Sequence, residues 1–232
     1  KSSSSFHAPE PALQKLDVNA CNQIVEDRKG RIFVGAWNSG ILFFDEREGK
    51  FKQRIISPVY AQNVVFSILP FVENNTDYLW LGTTAGLLKI KTDDIFSLGL
   101  SLPPFISYVP DKLNAESISN EIINSVFKDR SGNIWLGTAS GVNKLDPLQQ
   151  QFQTVYLSGD KTIAEEINTM SEGPDGTGEF YFATGKQIFR AKKELDNFQP
   201  VPSPVNFINC IVKGKQFYWI GSFRGLWQCD KN

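Results

Sequence analysis

Short stretches of alternating apolar and polar positions run through the whole chain, separated by residues that favour turns. The clearest stretch is NIWLGTASGVNKLD, from Asn133 to Asp146, in which two apolar segments flank the loop TASG. Aromatic and β-branched residues fill such segments, while Gly, Pro, Asn and Asp fill the joints. No segment of ten or more residues repeats its apolar positions with the 3.6-residue period of a helix. The pattern therefore predicts a series of short β-strands and an all-β fold.

Looser copies of this phrase occur four more times along the chain. Each copy has an aromatic residue, an apolar residue and then a small residue, and the small residue recurs at intervals of roughly 40–55 positions. An apolar segment precedes each phrase, and a turn such as DRSG (Asp129 to Gly132) joins the two. A further short segment follows most copies. The aligned small residues are Gly35, Gly82, Gly137, Ala183 and Gly221.

Each unit therefore predicts four strands, which is typical of a β-propeller blade. The chain is predicted to be one β-propeller domain, residues 1–232, built from five four-stranded antiparallel blades. Unit five stops after its third strand, and residues 6–16 (FHAPEPALQKL) precede unit one where a fourth strand would run, so they are a candidate closing strand. The repeats allow a closed five-blade ring or a five-blade portion of a larger propeller. The predicted blades span residues 17–57, 62–109, 118–157, 165–201 and 205–232.

Composition narrows the classes of partner. The formal net charge is −1 with a pI near 6.0, and the charges are scattered along the chain. Nucleic-acid binding requires a basic face, so we predict no nucleic-acid partner. No run of 18 apolar residues occurs, so this segment is predicted to make no membrane contact.

The residue types that carry most enzymatic chemistry are sparse. The single histidine, His7, lies near the N-terminus, which removes Ser-His-Asp and Cys-His arrangements. His, Cys and carboxylate residues do not cluster with the spacing of zinc or iron ligands. Cys21, Cys210 and Cys229 have no metal-binding spacing and are interpreted as buried small residues; a Cys21–Cys210 bridge would require a closed five-blade ring.

Three carboxylates, Asp160, Glu165 and Glu166, fall near one junction between blades. A propeller brings distant blades together at its axis, so paired carboxylates could form there, but we interpret these three as solvated loop charges. The sequence thus predicts no catalytic residue, no metal site and no cofactor.

The third unit carries a family resemblance. The segment LNAESISNEIINSVFKDRSGNIWLGTASGVNKLDPLQQQF, Leu113 to Phe152, closely resembles the two-component-regulator propeller repeat. The likeness extends over all five units and is weakest in the fourth, where ATGKQIFRA lacks the Trp and the second Gly. The resemblance implies the periplasmic sensor region of a hybrid histidine kinase of the kind found in Bacteroidetes that respond to polysaccharides. In such proteins seven-bladed propellers precede a small β-sandwich domain, a membrane span and a kinase.

The resemblance also implies partners and activity. We expect a non-catalytic sensory propeller that binds an oligosaccharide or contributes to a homodimer, and that signals through the rest of the sensor kinase chain. Two other readings stay open at this point: a pure protein–protein scaffold, which would present a large apolar patch, and a glycan-active propeller enzyme, which would need acidic or basic residues at its axis.

Candidate ligand-binding residues are those that break the repeat. The aromatic position shared by all units is interpreted as packing between blades, and it is occupied by Phe33, Trp80, Trp135, Tyr181 and Trp219. The loops between the second and third strands are mostly small, but two of them place an aromatic residue beside a hydrogen-bonding residue: Trp37 with Asn38, and Phe223 with Arg224. Such pairs suit stacking on a sugar ring or docking of a partner, although they are also compatible with plain surface decoration.

Overall fold

The computed structural model describes residues 18, 20–57, 63–97, 102–146, 151–155, 165–173, 178–192, 198–203, 205–213 and 217–230. The candidate closing strand at 6–16, His7 and Asp160 lie outside these residues.

The described residues form five antiparallel sheets, and each sheet is built from consecutive strands in chain order. Blade one contains β1 (Cys21–Glu26), β2 (Ile32–Ala36), β3 (Gly40–Asp45) and β4 (Lys50–Arg54). Blade two contains β5 (Val65–Glu73), β6 (Thr76–Thr83), β7 (Gly86–Lys91) and β8 (Phe105–Tyr108), with the short helix α1 (Thr92–Ile95) before β8. Blade three contains β9 (Ile123–Lys128), β10 (Ile134–Thr138), β11 (Gly141–Asp146) and β12 (Gln151–Val155).

Blade four contains β13 (Ile167–Glu172), β14 (Glu179–Thr184), β15 (Ile188–Lys192) and β16 (Gln199–Val201). Blade five contains β17 (Ile208–Lys213), β18 (Phe217–Ser222) and β19 (Gly225–Asp230), and has three strands among the described residues. The first strands pack against each other in succession, β1 on β5, β5 on β9, β9 on β13 and β13 on β17. The predicted fold, a five-blade β-propeller, is confirmed.

The hydrophobic core lies between neighbouring blades, because successive side chains of a strand point to opposite faces of its sheet. We call the face that packs on the next blade in the chain the forward face, and the opposite one the rear face. In β6, Trp80 lies on the forward face and packs with residues of blade three. Leu79 and Leu81 lie on its rear face and pack with blade one. The other blades repeat this alternation.

The predicted role of the shared aromatic position is confirmed at four of its five occurrences. Phe33, Trp80, Trp135 and Tyr181 are buried on forward faces against the next blade. Trp219 of blade five differs, because 39% of it is exposed. Its neighbours on that face, Val212 and Leu226, are exposed as well.

The forward face of blade five is thus uncovered. Within the described part of the chain, no packing comparable to the other four junctions joins β17 to β1. The described residues therefore form four packed junctions between the five blades. Cys210 pairs with Gly221 in the sheet of blade five and is exposed, as is Cys21 of β1. Our interpretation of these two cysteines as buried small residues is wrong: Cys21 of blade one and Cys210 of blade five are exposed, and no described blade packs on them.

The turns between first and second strands form one end of the propeller, the lower rim. Gly30 donates its N–H to the Asp27 carbonyl (3.0 Å), and Gly132 donates to Asp129 in the same way (3.0 Å), which confirms the predicted turns. The buried Asp129 carboxylate also accepts from the indole N–H of Trp135 (3.0 Å), so this turn is tied to the blade core.

Candidate functional site

The opposite end, which we call the upper rim, consists of the loops between second and third strands together with the segments that lead into each first strand. In four blades a Thr or Ser ends the second strand and shapes the loop. Its hydroxyl accepts the N–H of the residue two positions later and donates to the carbonyl of the residue three positions later. The hydroxyl positions are Thr83, Thr138, Thr184 and Ser222; Ala36 replaces them in blade one.

Three glycines of the upper rim form backbone hydrogen bonds to the segment that leads into the next blade. Gly40, Gly86 and Gly141 start the third strands with φ of 69°, 104° and 103°, a region in which glycine is favoured. Each donates its N–H to a carbonyl that leads into the next blade: Asn63 (2.7 Å), Glu121 (2.7 Å) and Glu165 (2.9 Å) respectively. The loops of blades one, two and three are therefore each tied to the segment that leads into the following blade.

The first predicted pair, Trp37 and Asn38, forms the loop of blade one. The Trp37 N–H donates to the Ala20 carbonyl (2.9 Å), and the ring, 42% exposed, meets Phe66 of blade two edge-on at 5.6 Å between centroids. Asn38 adopts φ 56°, a left-handed conformation that Asn tolerates in turns. Trp37 is therefore an exposed ring on a fixed backbone.

The second predicted pair, Phe223 and Arg224, forms the loop of blade five. Phe223 is 81% exposed, and its ring meets Phe207 edge-on at 6.3 Å. Phe207, 57% exposed, lies just before β17 and donates its N–H to the Gly185 carbonyl of blade four (2.7 Å). The structure thus places the two predicted pairs at equivalent loops of blades one and five, each beside a second aromatic residue that sequence reasoning missed.

Sequence reasoning also missed a bulge in every first strand. One residue is inserted where the register shifts, and it occupies positions 22, 66, 124, 168 and 209. Asn22 donates its side-chain N–H to the Val65 carbonyl (2.9 Å), and Asn168 donates to Ile208 (3.0 Å), so these side chains join adjacent first strands. The signal was available: CNQI, INSV, INTM and INCI share the Asn, while VFSI has Phe66 instead. Phe66 is the exception, and it faces Trp37.

Two of the carboxylate residues considered for catalysis are described, and both take part in structural hydrogen bonds. Glu165 does so through its backbone carbonyl, which accepts the Gly141 N–H, and Glu166 through its carboxylate, which accepts the side-chain N–H of Asn124 (3.0 Å). In the part of the chain that the structure describes, no three His, Cys, Asp or Glu residues lie together in a way that could hold a metal ion. Nor do the described residues include a helix that is long and apolar enough to cross a membrane.

A cavity of about 270 Å³ lies between blades four and five. Its walls include Ile188, Ile211 and Ile220, and its polar edge is formed by Tyr181 and Arg190. Arg190 pairs with Glu179 and donates to Gln199. Burial, and then the hydrogen bond with Tyr218, raise the pKa of Tyr181, so its phenol stays protonated. Both polar groups are thus engaged within the protein, and the cavity is mainly apolar.

Comparison with known proteins agrees with this architecture. The sequence profile of the family described as two component regulator propeller matches residues 117–140. No curated protein matches the sequence.

Solved structures with a similar fold include two extracellular domains from B. thetaiotaomicron. One belongs to a one component system (20% identity, TM-score 0.69, 94% of this chain and 28% of that chain). The other belongs to a hybrid two component system (18% identity, TM-score 0.75, 94% of this chain and 29% of that chain). PorZ, a surface component of the type-IX secretion system of Porphyromonas gingivalis, is also similar (15% identity, TM-score 0.63, 90% and 32%).

The chain spans less than a third of the length of these structures. Identities at this level show a shared fold, whereas the profile match concerns the sequence of the third blade itself. The chain is therefore a five-blade β-propeller that carries a two-component-regulator propeller repeat.

Proposed function

We propose that this chain is a non-catalytic sensory propeller in the periplasmic part of a two-component system, and that its upper rim binds an oligosaccharide. The observation that carries the proposal is the pair of exposed, positioned aromatic residues, Trp37 and Phe223, in a propeller whose third blade matches the two-component-regulator repeat. The extracellular location of the related domains supports the assignment to the periplasm.

The two loops have the chemistry that sugar recognition uses. An aromatic ring offers a flat apolar surface to the C–H face of a sugar, and an adjacent polar group bonds the hydroxyls and sets the orientation. Asn38 and Arg224 supply that group beside Trp37 and Phe223. In the other three loops the same two positions hold Thr84 and Ala85, Ala139 and Ser140, and Gly185 and Lys186.

The rim also suits transmission of a signal, because each aromatic pair spans two blades. Trp37 of blade one meets Phe66 of blade two, and Phe207 is bonded to blade four while its ring meets Phe223 of blade five. A ligand on either pair would favour one arrangement of neighbouring blades. It can shift that equilibrium only by the difference in its affinity for the two arrangements.

The test is a thermal-shift screen against neutral and acidic oligosaccharides, repeated on three variants. Trp37→Ala and Phe223→Ala remove the rim rings, and Phe105→Ala removes an exposed ring from the outer strand of blade two as the matched control. We expect one sugar class to raise the Tm of the wild type and of Phe105→Ala, and to raise it less in at least one of the rim variants. No shift with any sugar, or an equal loss in the control, would contradict the proposal.

A second candidate, a scaffold in which two copies of the chain dimerise, is favoured by one observation. The forward face of blade five presents Val212, Trp219 and Leu226 to solvent, whereas equivalent faces elsewhere are buried. A two-fold dimer would bring two such faces together, as in sheet-on-sheet packing.

Light scattering coupled to size exclusion measures the molar mass in solution and so tests whether the chain dimerises. A dimer that Leu226→Asp converts to a monomer, and that Val72→Asp leaves intact, would support it, because Val72 is an exposed residue of β5 in blade two. A monomeric wild type at high micromolar concentration would exclude it.

A further inference from the structure

We propose that the upper rim at the junction of blades four and five is a binding site for an acidic oligosaccharide, one that carries carboxylate or sulfate groups. This inference rests on the proposed function and extends it in two respects. It gives the charge of the ligand, and it adds Lys186 and Phe207 to the residues that bind it.

Two cations occupy equivalent tips of neighbouring loops. Lys186 donates its backbone N–H to the Thr184 hydroxyl (3.2 Å), and Arg224 donates to the Ser222 hydroxyl (3.1 Å), so the two residues hold the same position in blades four and five. The corresponding residues of blades one, two and three are neutral: Asn38, Ala85 and Ser140. Positive charge at this loop position is therefore confined to the junction of blades four and five.

Both cations are exposed, and neither forms an ion pair within the described residues. Arg190 of blade four, by contrast, is already paired with Glu179. An anion that reaches this rim would meet two cations that no described side chain neutralises, rather than ion pairs that it must first break.

Two aromatic residues connect the loops that carry the cations. Phe207 is bonded through its N–H to Gly185, the residue before Lys186, and its ring meets that of Phe223, the residue before Arg224. The rings therefore belong to the same junction as the two cations. Exposed fractions of 57% for Phe207 and 81% for Phe223 leave most of both rings free to contact a ligand.

The backbone of Phe207 strengthens the assignment. It adopts φ 58°, in the left-handed region that bulky residues rarely occupy. Strained conformations of this kind recur at ligand-binding sites, where the surrounding structure holds a side chain in place. Here the 2.7 Å hydrogen bond to Gly185 accompanies a conformation that leaves a large apolar ring in solvent.

A junction that carries both exposed rings and exposed cations favours a particular ligand. Neutral sugars would use the rings but gain little from Lys186 and Arg224, whereas a sugar ring with a carboxylate or sulfate can use both kinds of group. An acidic peptide is less well matched, because peptides bind to exposed sheet edges or grooves and this surface is formed by loop tips.

Isothermal titration calorimetry with four probes tests the inference: tetragalacturonate, sulfated maltotetraose, neutral maltotetraose and tetraglutamate. The variants are Lys186→Ala, Arg224→Ala and Phe207→Ala, with Arg47→Ala in an exposed turn of blade one as the control for charge. We expect at least one acidic sugar to bind the wild type and Arg47→Ala equally. We expect each cation variant to weaken that binding about tenfold, the size of one charge-assisted hydrogen bond. Binding that weakens steeply with salt is expected as well.

The outcomes separate the two levels of the proposal. Binding of tetragalacturonate alone identifies a carboxylate ligand, and binding of sulfated maltotetraose alone identifies a sulfate ligand. Maltotetraose that binds as tightly as the acidic probes, with Lys186→Ala and Arg224→Ala unaffected, would overturn the acidic site and leave the proposed function standing. Tetraglutamate that binds as tightly as the sugars would overturn the sugar assignment. If no sugar binds the wild type, both the inference and the proposed function fail. Because Lys186 and Arg224 are exposed, their variants are expected to keep the wild-type Tm, which shows that they are folded.

Discussion

The junction between blades three and four and the forward face of blade five use the same repeat positions in opposite environments. Trp135 is 1% exposed and Trp219 is 39% exposed, although both occupy the aromatic position of the second strand. Val142 is fully buried, while Leu226, at the equivalent position of the third strand, is 71% exposed. The residue types are matched, and the difference is whether another blade covers them.

Each blade therefore encodes two interfaces, and the burial of each face depends on whether a neighbouring blade packs against it. Apolar surface contributes roughly 25 cal/mol per Å² only when it leaves water, so equal residues on the two faces contribute unequally to stability. Stability in such a repeat protein is approximately a sum over blades and over the interfaces between them. The comparison can therefore be tested with pairs of identical substitutions, one at a packed junction and one on the uncovered face.

The largest difference is expected for the tryptophans. Trp135→Ala leaves a cavity between blades three and four and removes the indole N–H from the buried Asp129 carboxylate, so it should cost about 3–5 kcal/mol in the free energy of unfolding. Trp219→Ala should cost about 1 kcal/mol or less, because the side chain is exposed and no described blade packs against it. Urea denaturation of both variants measures the two values. Equal costs would mean that blade five is covered in solution, as the dimer candidate requires.

The glycines two residues after the shared aromatic position give a second matched pair. A Cβ at Gly82 would lie 2.6 Å from the Ile123 carbonyl oxygen of blade three, so Gly82→Ala must push two backbones apart and should cost about 1–3 kcal/mol. At Gly221 the added Cβ meets only the Cys210 sulfur, at 2.5 Å, and that side chain can turn toward solvent.

We therefore expect Gly221→Ala to change the free energy of unfolding by less than about 1 kcal/mol in either direction, since alanine also restricts the unfolded chain. Thermal unfolding of the two variants is the measurement. A Gly82→Ala protein as stable as the wild type would show that the blades slide apart at little cost.

The bulge asparagines provide a smaller contrast. Asn168 bonds the Ile208 carbonyl across the junction of blades four and five, so Asn168→Ala should lower the free energy of unfolding by roughly 0.5–1.5 kcal/mol. Asn209 holds the equivalent position in blade five and is exposed, so Asn209→Ala should have no measurable effect. Hydrogen exchange of the β13 and β17 amides would localise the effect: protection should fall in Asn168→Ala and stay unchanged in Asn209→Ala.

The same contrast explains which features of the fold could be predicted from the sequence. Features that depend on one unit alone were accessible: the four-strand blade, the turn at Asp129 and the packing role of Trp135 all follow from spacing and residue type. Features that depend on a neighbour were not. The exposure of Trp219 depends on what packs against blade five, and its own sequence context, which matches that of Trp135, does not encode this.

The candidate site shows the same limit. Trp37 and Phe223 were identifiable because they break the repeat within their own loops, and whether they bind a ligand stays a prediction. Phe66 lies in β5, and Phe207 lies just before β17. Their significance appears only in the structure, where the ring centroid of Phe66 is 5.6 Å from that of Trp37 and the ring centroid of Phe207 is 6.3 Å from that of Phe223. A closer comparison of the five first strands would have found Phe66, because it replaces a recurrent Asn.

The smallest effect concerns the lower rim, where charge rather than apolar area joins blades one and two. Lys29 (2.8 Å) and Arg28 form ion pairs with the Asp77 carboxylate of blade two, and their hydrogen bonds, first from Lys29 and then from Arg28, lower the pKa of Asp77 below its ordinary 3.8. A lowered pKa in the folded state means that the pairs stabilise the protein above pH 3.8, and that this contribution is lost as the pH falls through the folded-state value.

Asp77→Asn should therefore lower the free energy of unfolding at pH 7 by roughly 1 kcal/mol or less, because both cations are about half exposed. Urea titrations of the variant and the wild type should converge below pH 3.8 and in high salt. The cost of Trp135→Ala should persist under both conditions, because it arises mainly from lost apolar contact. An Asp77→Asn effect that does not depend on pH would mean that packing, not charge, joins blades one and two at this rim.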